Sequence, residues 1–346
     1  MNINGFNIQK EGKPFIIAEI SANHNGCINT CKELISLAKL NGANAVKIQT
    51  YKPDTITLKS TKKDFMINDG LWKGKSLYEL YGEACTPWEW HEELFSYAKE
   101  IKITLFSSPF DSSAIDLLEQ CQTPAYKIAS FEIVDHELIR YAAETKKPLI
   151  ISTGMANFEE ISEAYEVALK YGSGSIALLH CVSGYPAPED DYNIKTISDM
   201  LLKFDCPIGL SDHTLSNITA IGSVFLGASI VEKHFSLDRS AGGPDDSFSM
   251  EPKDLKDLVD SCSAAWKSKG FVNYDRKESE LPNVKFRRSL YFTKKATRGT
   301  IIDKTMIRSV RPGYGLAPKE FRKIIGTKLK RDIEENTPVK MEDIDV

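Results

Sequence analysis

Short apolar or β-branched runs recur along the chain, and polar residues collect near their carboxyl ends. The runs are FIIAEIS (15–21), AVKIQT (45–50), ITLFSSP (103–109), AYKIAS (125–130), LIISTG (149–154), IALLHC (176–181), PIGLSDH (207–213) and SIVEKHF (229–235). Each has the length of a strand and is bounded by turn or helix-start residues. Most gaps between them carry helical spacing, as in NTCKELISLAKLNGA and FEEISEAYEVALKYG. Eight strands alternating with helices over about 250 residues predict an α/β fold, a (β/α)8 TIM barrel. The alternative is an open doubly wound sheet, against which stands the lack of a G-x-G-x-x-G motif at the first βα turn.

Two places break the rhythm. The gap 51–102 is about twice as long as the others and contains the aromatic-rich DGLWKGKSLYELYGEACTPWEWH. An insertion on a βα loop lies at the catalytic end of a barrel, which makes it a candidate lid or specificity loop; the alternative is an extra helix packed outside. After residue 270 the alternation stops. The organisation expected is a barrel over 1–270, an irregular polar linker over 271–286, and a small domain of short strands and turns over 287–346.

The polar groups at the strand ends are Glu19, Lys47 with Gln49, Ser107 with Ser108, Lys127 with Ser130, Ser152 with Thr153, His180, Ser211 with His213, and Glu232 with His234. Residues two apart share a face of a strand, so Lys47 and Gln49, Ser211 and His213, and Glu232 and His234 point the same way in pairs. Burying that many polar groups without partners is costly, and a ligand at the strand ends accounts for them. Two lysines with several hydroxyls suit a phosphate or carboxylate. Two histidines on adjacent strands suit a divalent metal with open positions. A lysine on an inner strand could instead form a Schiff base, the chemistry of another class of aldolase.

Composition narrows the classes. The 346 residues are 42% hydrophobic and 27% charged, as expected of a globular protein. No run of eighteen apolar residues predicts a transmembrane helix, and the first residues lack a signal-peptide pattern, so a cytoplasmic protein without a membrane partner is expected. Seven scattered cysteines fit reduced packing residues. The net charge of −4 is unevenly divided. Residues 287–346 hold 15 Lys/Arg against 8 Asp/Glu, a net of +7, which leaves −11 on the rest. This suggests a basic module docking on an acidic one. The basic residues are dispersed and not interleaved with aromatics, so no nucleic-acid partner is expected.

AEISANHNG, AVKIQTY, AYKIASFE, IISTGM, GLSDHT and EKHF, followed by RPGYGLAP, resemble the sialic acid synthase family in order and over essentially the whole chain. The C-terminal part resembles the antifreeze-like (SAF) domain found there. The insertion is more similar to the pseudaminic acid branch than to the N-acetylneuraminate branch. Ser183, in HCVSGYP, stands where the neuraminate branch has a sugar-contacting asparagine. The resemblance implies condensation of phosphoenolpyruvate with the open-chain aldehyde of an N-acetylated amino sugar, giving a nine-carbon 2-keto acid and phosphate. For the pseudaminic acid branch the sugar is 2,4-diacetamido-2,4,6-trideoxy-L-altrose; N-acetylneuraminate and legionaminate synthases are the neighbouring alternatives.

The family roles carry over by motif. His213 and His234 would hold the metal, Mn²⁺ or Mg²⁺. Lys47, Ser108, Lys127, Ser130, Ser152 and Ser211 would hold phosphoenolpyruvate. Glu19 would be the acid/base carboxylate, and Gln49, Glu132, Ser183, Tyr185 and Asp245 would line the sugar or metal side. Arg311 would reach the site of a partner subunit in a domain-swapped homodimer. A binding protein acting like the antifreeze relative is the non-enzyme alternative, and the strongly basic tail argues against an ice-binding face.

Overall fold

A computed structural model of the chain describes residues 1–345. The chain divides into two compact units, Met1–Gly270 and Phe271–Val346. In the first unit eight parallel strands close into a barrel. They are β1 (Phe15–Glu19), β2 (Ala45–Thr50), β3 (Thr104–Pro109), β4 (Tyr126–Ile128), β5 (Leu149–Ser152), β6 (Ile176–Cys181), β7 (Ile208–Asp212) and β8 (Ile230–His234). Each lies within one of the eight apolar runs, so the barrel expected from the sequence is the fold found. β8 closes on β1 with His234 opposite Glu19, and β1 meets β2 with Glu19 opposite Lys47.

The alternation of a strand explains why this barrel has an apolar floor and a polar top. Inward positions near the strand starts are Phe15, Ile17, Ala45, Phe106, Ala125, Ile150, Ala177, Leu179 and Ile230, which pack together as one cluster. Ile3 and Ile8, from the segment that pairs Asn2–Ile3 with Phe6–Asn7, plug the cluster from below. Burying a side chain such as Phe15 or Phe106 stabilises by roughly 1.5–3 kcal/mol. Two residues further along, the inward positions become Glu19, Lys47, Ser108, Lys127, Ser152, Cys181, Ser211 and Glu232, all buried. At Gly209 an added Cβ would lie 2.5 Å from the Ile230 carbonyl oxygen and 2.7 Å from the Ile230 Cβ, so the interior has room only for glycine there.

Helices clothe the outside with their apolar stripes. Ile28–Leu40 buries Cys31, Leu34, Ile35 and Ala38, the i, i+3, i+4, i+7 spacing of one helix face. Phe158–Tyr171 begins with a capping box in which Asn157 and Glu160 bond reciprocally to backbone N–H groups. The insertion contains a helix at Leu77–Ala84, also started by a capping box (Ser76 and Glu79), and leads through a turn into the barrel helix His91–Glu100. Before Ser76, residues 66–76 fold back on themselves: Met66 bridges Ser76, and the Ile67 N–H donates to the Lys75 carbonyl at 2.9 Å.

The second unit has its own small core of Leu290, Phe292, Ile302, Ile307, Ile324, Leu329, Val339 and Ile344 among others. Ser289–Phe292 pairs antiparallel with Ile307–Val310, and Lys328–Leu329 with Ile344–Asp345. Between the barrel and this core, residues 271–286 are largely exposed and include the 3-10 segment Glu278–Phe286.

Candidate active site

The polar layer at the carboxyl end of the barrel is one connected network. Lys47 Nζ lies 3.1 Å from Glu19 Oε2, 3.3 Å from Glu232 Oε1 and 3.1 Å from Ser108 Oγ. Lys127 Nζ lies 3.4 Å from the same Glu232 oxygen and donates to Ser152 Oγ at 2.6 Å. Ser211 Oγ donates to Glu232 Oε1 at 3.4 Å. The four charged groups are each 4% exposed or less. Two cations and two carboxylates share this dry space; Glu19 Oε2 has no contact beyond its ion pair with Lys47, and Glu232 Oε2 has no hydrogen-bond partner. Glu232 is central to the network, yet the sequence reading gives it no role; its only signal is that it shares a strand face with His234.

Burial sets the ionisation of the layer, and the neighbours adjust it. Burial raises Glu19 to about 7 against the pull of Lys47, with Glu232 pushing it further up. Burial opposes the Glu232 anion, but Lys127 and Lys47 reverse that and hold its pKa below the usual value. Burial likewise opposes the Lys47 ammonium, and Glu19 and Glu232 more than offset it. Lys127 is lowered by burial and by Lys47 despite Glu232.

Above this layer, His213 and His234 face each other with ring centroids 5.4 Å apart. His213 Nδ1 donates to the Val182 carbonyl at 2.8 Å, so in the neutral ring the lone pair is on Nε2. Burial opposes the His213 cation, but Cys181 and the Val182 carbonyl outweigh it and hold the pKa above the ordinary value. The backbone of the strand end is tied down by Tyr192, whose hydroxyl accepts from the His213 N–H at 2.6 Å and donates to the Ser211 carbonyl at 3.2 Å. His234 Nδ1 is buried without a hydrogen-bond partner, 3.8 Å from Asp245 Oδ2. Burial, reinforced by the charge of neighbouring cationic groups, holds His234 well below the ordinary histidine pKa. A pair of imidazoles held this way fits a divalent cation. Among the described residues no group of three or more His, Cys, Asp or Glu side chains converges on one point.

Other expected residues take places around these two layers. Gln49 Nε2 donates to Glu19 Oε1 at 3.0 Å and to Ser21 Oγ at 2.9 Å, and Ser21 Oγ donates to Asp245 Oδ2 at 2.5 Å. Ser130 Oγ accepts from the Gly154 N–H at 3.2 Å. Ser183 Oγ lies 3.9 Å from Cys181 Sγ, which is itself 3.9 Å from His213 Nδ1. Burial raises half-buried Glu132 to about 7 against the pull of Lys127, and its Oε2 has no partner. The Tyr185 ring packs 4.4 Å from His213, 6.1 Å from His234 and 5.2 Å from Phe248. Arg311 belongs to the second unit, where it is exposed just after Ile307–Val310.

Three strand-end residues turn elsewhere. His180 is one position out of phase with inward Leu179 and Cys181, and its Nε2 bonds the Tyr192 carbonyl at 2.5 Å. Ser107 bonds Thr50 Oγ1 at 2.6 Å and the Ile48 carbonyl at 3.0 Å. Thr153 Oγ1 donates to the Leu179 carbonyl at 3.1 Å. All three satisfy backbone or neighbouring strands rather than the site. The insertion expected to be a lid or specificity loop holds Trp72, which the sequence does not single out. From the insertion, its indole N–H donates to the Pro244 carbonyl at 3.0 Å, and its ring lies 6.2 Å from that of Tyr185.

A closed barrel with a buried lysine–serine pocket beneath an open histidine pair marks the class: a (β/α)8 enzyme acting on a small anionic substrate. The chain belongs to the NeuB family, which its residues 34–274 match, while residues 287–345 match the SAF domain. It is 42% identical over 99% of both chains to the pseudaminic acid synthase of Campylobacter jejuni. It is 36% identical to the N,N'-diacetyllegionaminic acid synthase of Legionella pneumophila, over 96% of this chain and 94% of that one. Among solved structures, the N-acetylneuraminic acid synthetase of Leptospira borgpetersenii is 30% identical with a TM-score of 0.73, covering 82% of this chain and 94% of that chain.

Proposed function

We propose that this protein condenses phosphoenolpyruvate with 2,4-diacetamido-2,4,6-trideoxy-L-altrose to give pseudaminic acid and phosphate. The observation that carries the reaction class is the pairing of two buried lysines, backed by serines, with an open histidine pair on adjacent strands. The choice of sugar rests on the full-length similarity to a pseudaminic acid synthase.

Lys47 and Lys127, with Ser108, Ser130, Ser152 and Ser211, supply charge-assisted contacts for the phosphate and carboxylate of phosphoenolpyruvate. C3 of phosphoenolpyruvate attacks the sugar aldehyde, which leaves cationic charge at C2. Glu19 and Glu232 lie beside the lysines and stabilise that cation. Water then adds at C2, and phosphate departs by cleavage of its C–O bond. Glu19, with a pKa near neutrality, suits the role of taking one proton of that water and passing it to the former aldehyde oxygen, which becomes a hydroxyl, while the other proton leaves with the phosphate. His213 and His234 would hold Mn²⁺ or Mg²⁺, which supplies Lewis acidity to the aldehyde oxygen. Gln49 and Asp245, linked through Ser21, fix the carboxylates around the reacting end, while Glu132, Ser183 and Tyr185 line the sugar side.

The test is phosphate release from phosphoenolpyruvate across N-acetylated hexoses and diacetamido sugars. Turnover of N-acetylmannosamine at the higher kcat/KM would refute the choice of sugar. Lys127→Ala and Lys47→Ala are each expected to raise the KM for phosphoenolpyruvate about tenfold or more and that for sugar far less, since a charge-assisted contact is worth about 1.5–3 kcal/mol. The opposite split would reassign the pocket.

The working unit is proposed to be a homodimer in which Arg311 of one chain completes the sugar site of the other. The opposite charges of the two parts of the chain and the placement of Arg311 in a Gly/Pro turn support this. Inactive His234→Ala and Arg311→Ala chains, unfolded and refolded together, are expected to recover about a quarter of wild-type activity, because about half of the dimers are mixed and each mixed dimer has one intact site. Mixed dimers no more active than either parent would exclude the exchange. No helix is long and apolar enough to cross a membrane among the described residues, in keeping with the cytoplasmic location proposed for the enzyme.

A further inference from the structure

We propose that Trp72 is a specificity-determining residue, whose indole forms with the Tyr185 ring, backed by the buried Phe248, an apolar wall that recognises the deoxygenated far end of the sugar. The inference rests on the reaction proposed above and extends it to a part of the substrate that does not react.

The position of Trp72 has no local cause. It lies in the fold-back 66–76 of the β2 insertion, yet it is anchored by the Pro244 carbonyl in the loop after β8, next to Asp245. That bond uses the only polar atom of the side chain, so whatever meets the half-buried ring meets carbon. The ring is tilted 51° to Tyr185 at 6.2 Å, and Tyr185 in turn packs on His213 and on Phe248. Phe248 lies 5.0 Å from His234. The three aromatic rings therefore start at the histidine pair and lead away from it by one further side-chain layer, ending at Trp72.

An open-chain hexose has the same polarity. Its aldehyde carbon must lie with the histidines and the phosphoenolpyruvate pocket, and its sixth carbon lies five bonds away, roughly 6 Å along an extended chain of about 1.5 Å bonds. That distance matches one aromatic layer. Tyr185 carries the one hydroxyl of this wall; the indole face of Trp72, whose N–H is taken by the Pro244 carbonyl, accepts a methyl group at the sixth carbon and leaves a hydroxymethyl group without a partner there. A single group difference against an apolar pocket gives about 10-fold to 200-fold discrimination.

The test compares the 6-deoxy diacetamido sugar with its 6-hydroxy counterpart in wild type, Trp72→Ala and Trp72→Phe. Wild type is expected to favour the 6-deoxy sugar in kcat/KM by about tenfold or more. Trp72→Ala is expected to reduce the preference to about twofold, through the sugar KM, with the KM for phosphoenolpyruvate unchanged. Trp72→Phe retains the carbon face without the N–H and is expected to keep most of the preference. Calorimetric binding of the two corresponding alditols, which cannot react, gives the same comparison without turnover. Equal binding of both alditols to wild type, or full preference in Trp72→Ala, overturns the wall. A Trp72→Phe variant as unselective as Trp72→Ala also overturns it, since the anchoring N–H would then be the determinant. If wild type releases no phosphate with either sugar, the proposed reaction fails, and the alditol pair still decides the wall.

Discussion

Replacing either His213 or His234 with alanine is expected to lower kcat on the order of a thousandfold while the barrel remains folded. A catalytic metal contributes several kcal/mol of charge stabilisation, and about 1.36 kcal/mol is a factor of ten in rate. The fold should survive because neither imidazole is a keystone of packing. His234 Nδ1 already lacks a hydrogen-bond partner, and loss of His213 frees the Val182 carbonyl, a long contact with Cys181 Sγ and one side of the Tyr185 ring, all at the open end of the barrel. Two measurements separate metal loss from general damage. Titration of the protein with Mn²⁺, followed by electron paramagnetic resonance, should show tight binding in wild type and weak binding in each variant. Wild type stripped by chelator should be inactive and recover with Mn²⁺ or Mg²⁺. Full activity in protein shown by elemental analysis to hold no metal would remove the histidine pair from this role.

The eight strands and much of the site were legible in the sequence because both follow from alternation. Inward positions change from apolar to polar within two residues on seven of the eight strands, β6 having Cys181 there, so Glu19, Lys47, Lys127, Ser152, Ser211, His213 and His234 could be placed on one surface from parity alone. Parity applied strictly also excludes His180, which neighbours inward Cys181 and therefore faces out. Strand ends were less legible: the fourth run extends to residue 130, but Ser130 already begins the 3-10 turn Ser130–Glu132. What the sequence could not show is which distant segments meet. Trp72 reaches Tyr185 and Pro244 across more than a hundred residues of chain, and no period or spacing encodes such a contact. Glu232 was visible as a polar strand residue, but its place between Lys47 and Lys127 depends on closure of the barrel.

Alternation also conceals the other large effect. Asp212 and Lys233 are one step out of phase with the histidines that follow them, so they point away from the barrel interior, where a charged residue usually meets solvent. Here they do not. The two are register partners on β7 and β8, they are 0% and 1% exposed, and Lys233 Nζ lies 2.8 Å from Asp212 Oδ2. Lys233 also donates to the Thr214 carbonyl and, at 3.1 Å, to the Ser216 carbonyl, while Asp212 Oδ1 accepts from the Thr214 N–H at 2.9 Å. The pair thus pins the loop that leaves His213, directly behind the two histidines. Lys233→Met leaves the Asp212 carboxylate buried and alone, and is expected to destabilise the barrel by about 3–5 kcal/mol. For a unit of this size that is a fall in Tm of about 10 °C. Replacing both partners, Asp212→Leu with Lys233→Met, removes the isolated charge and should recover part of the loss. It should not recover all of it, because the Thr214 and Ser216 carbonyls lose their donor. Thermal unfolding of the two single variants and the double variant forms a cycle that measures the coupling. Losses that simply add would show that the two side chains act independently, and that the loop behind the histidines is held by something other than their ion pair.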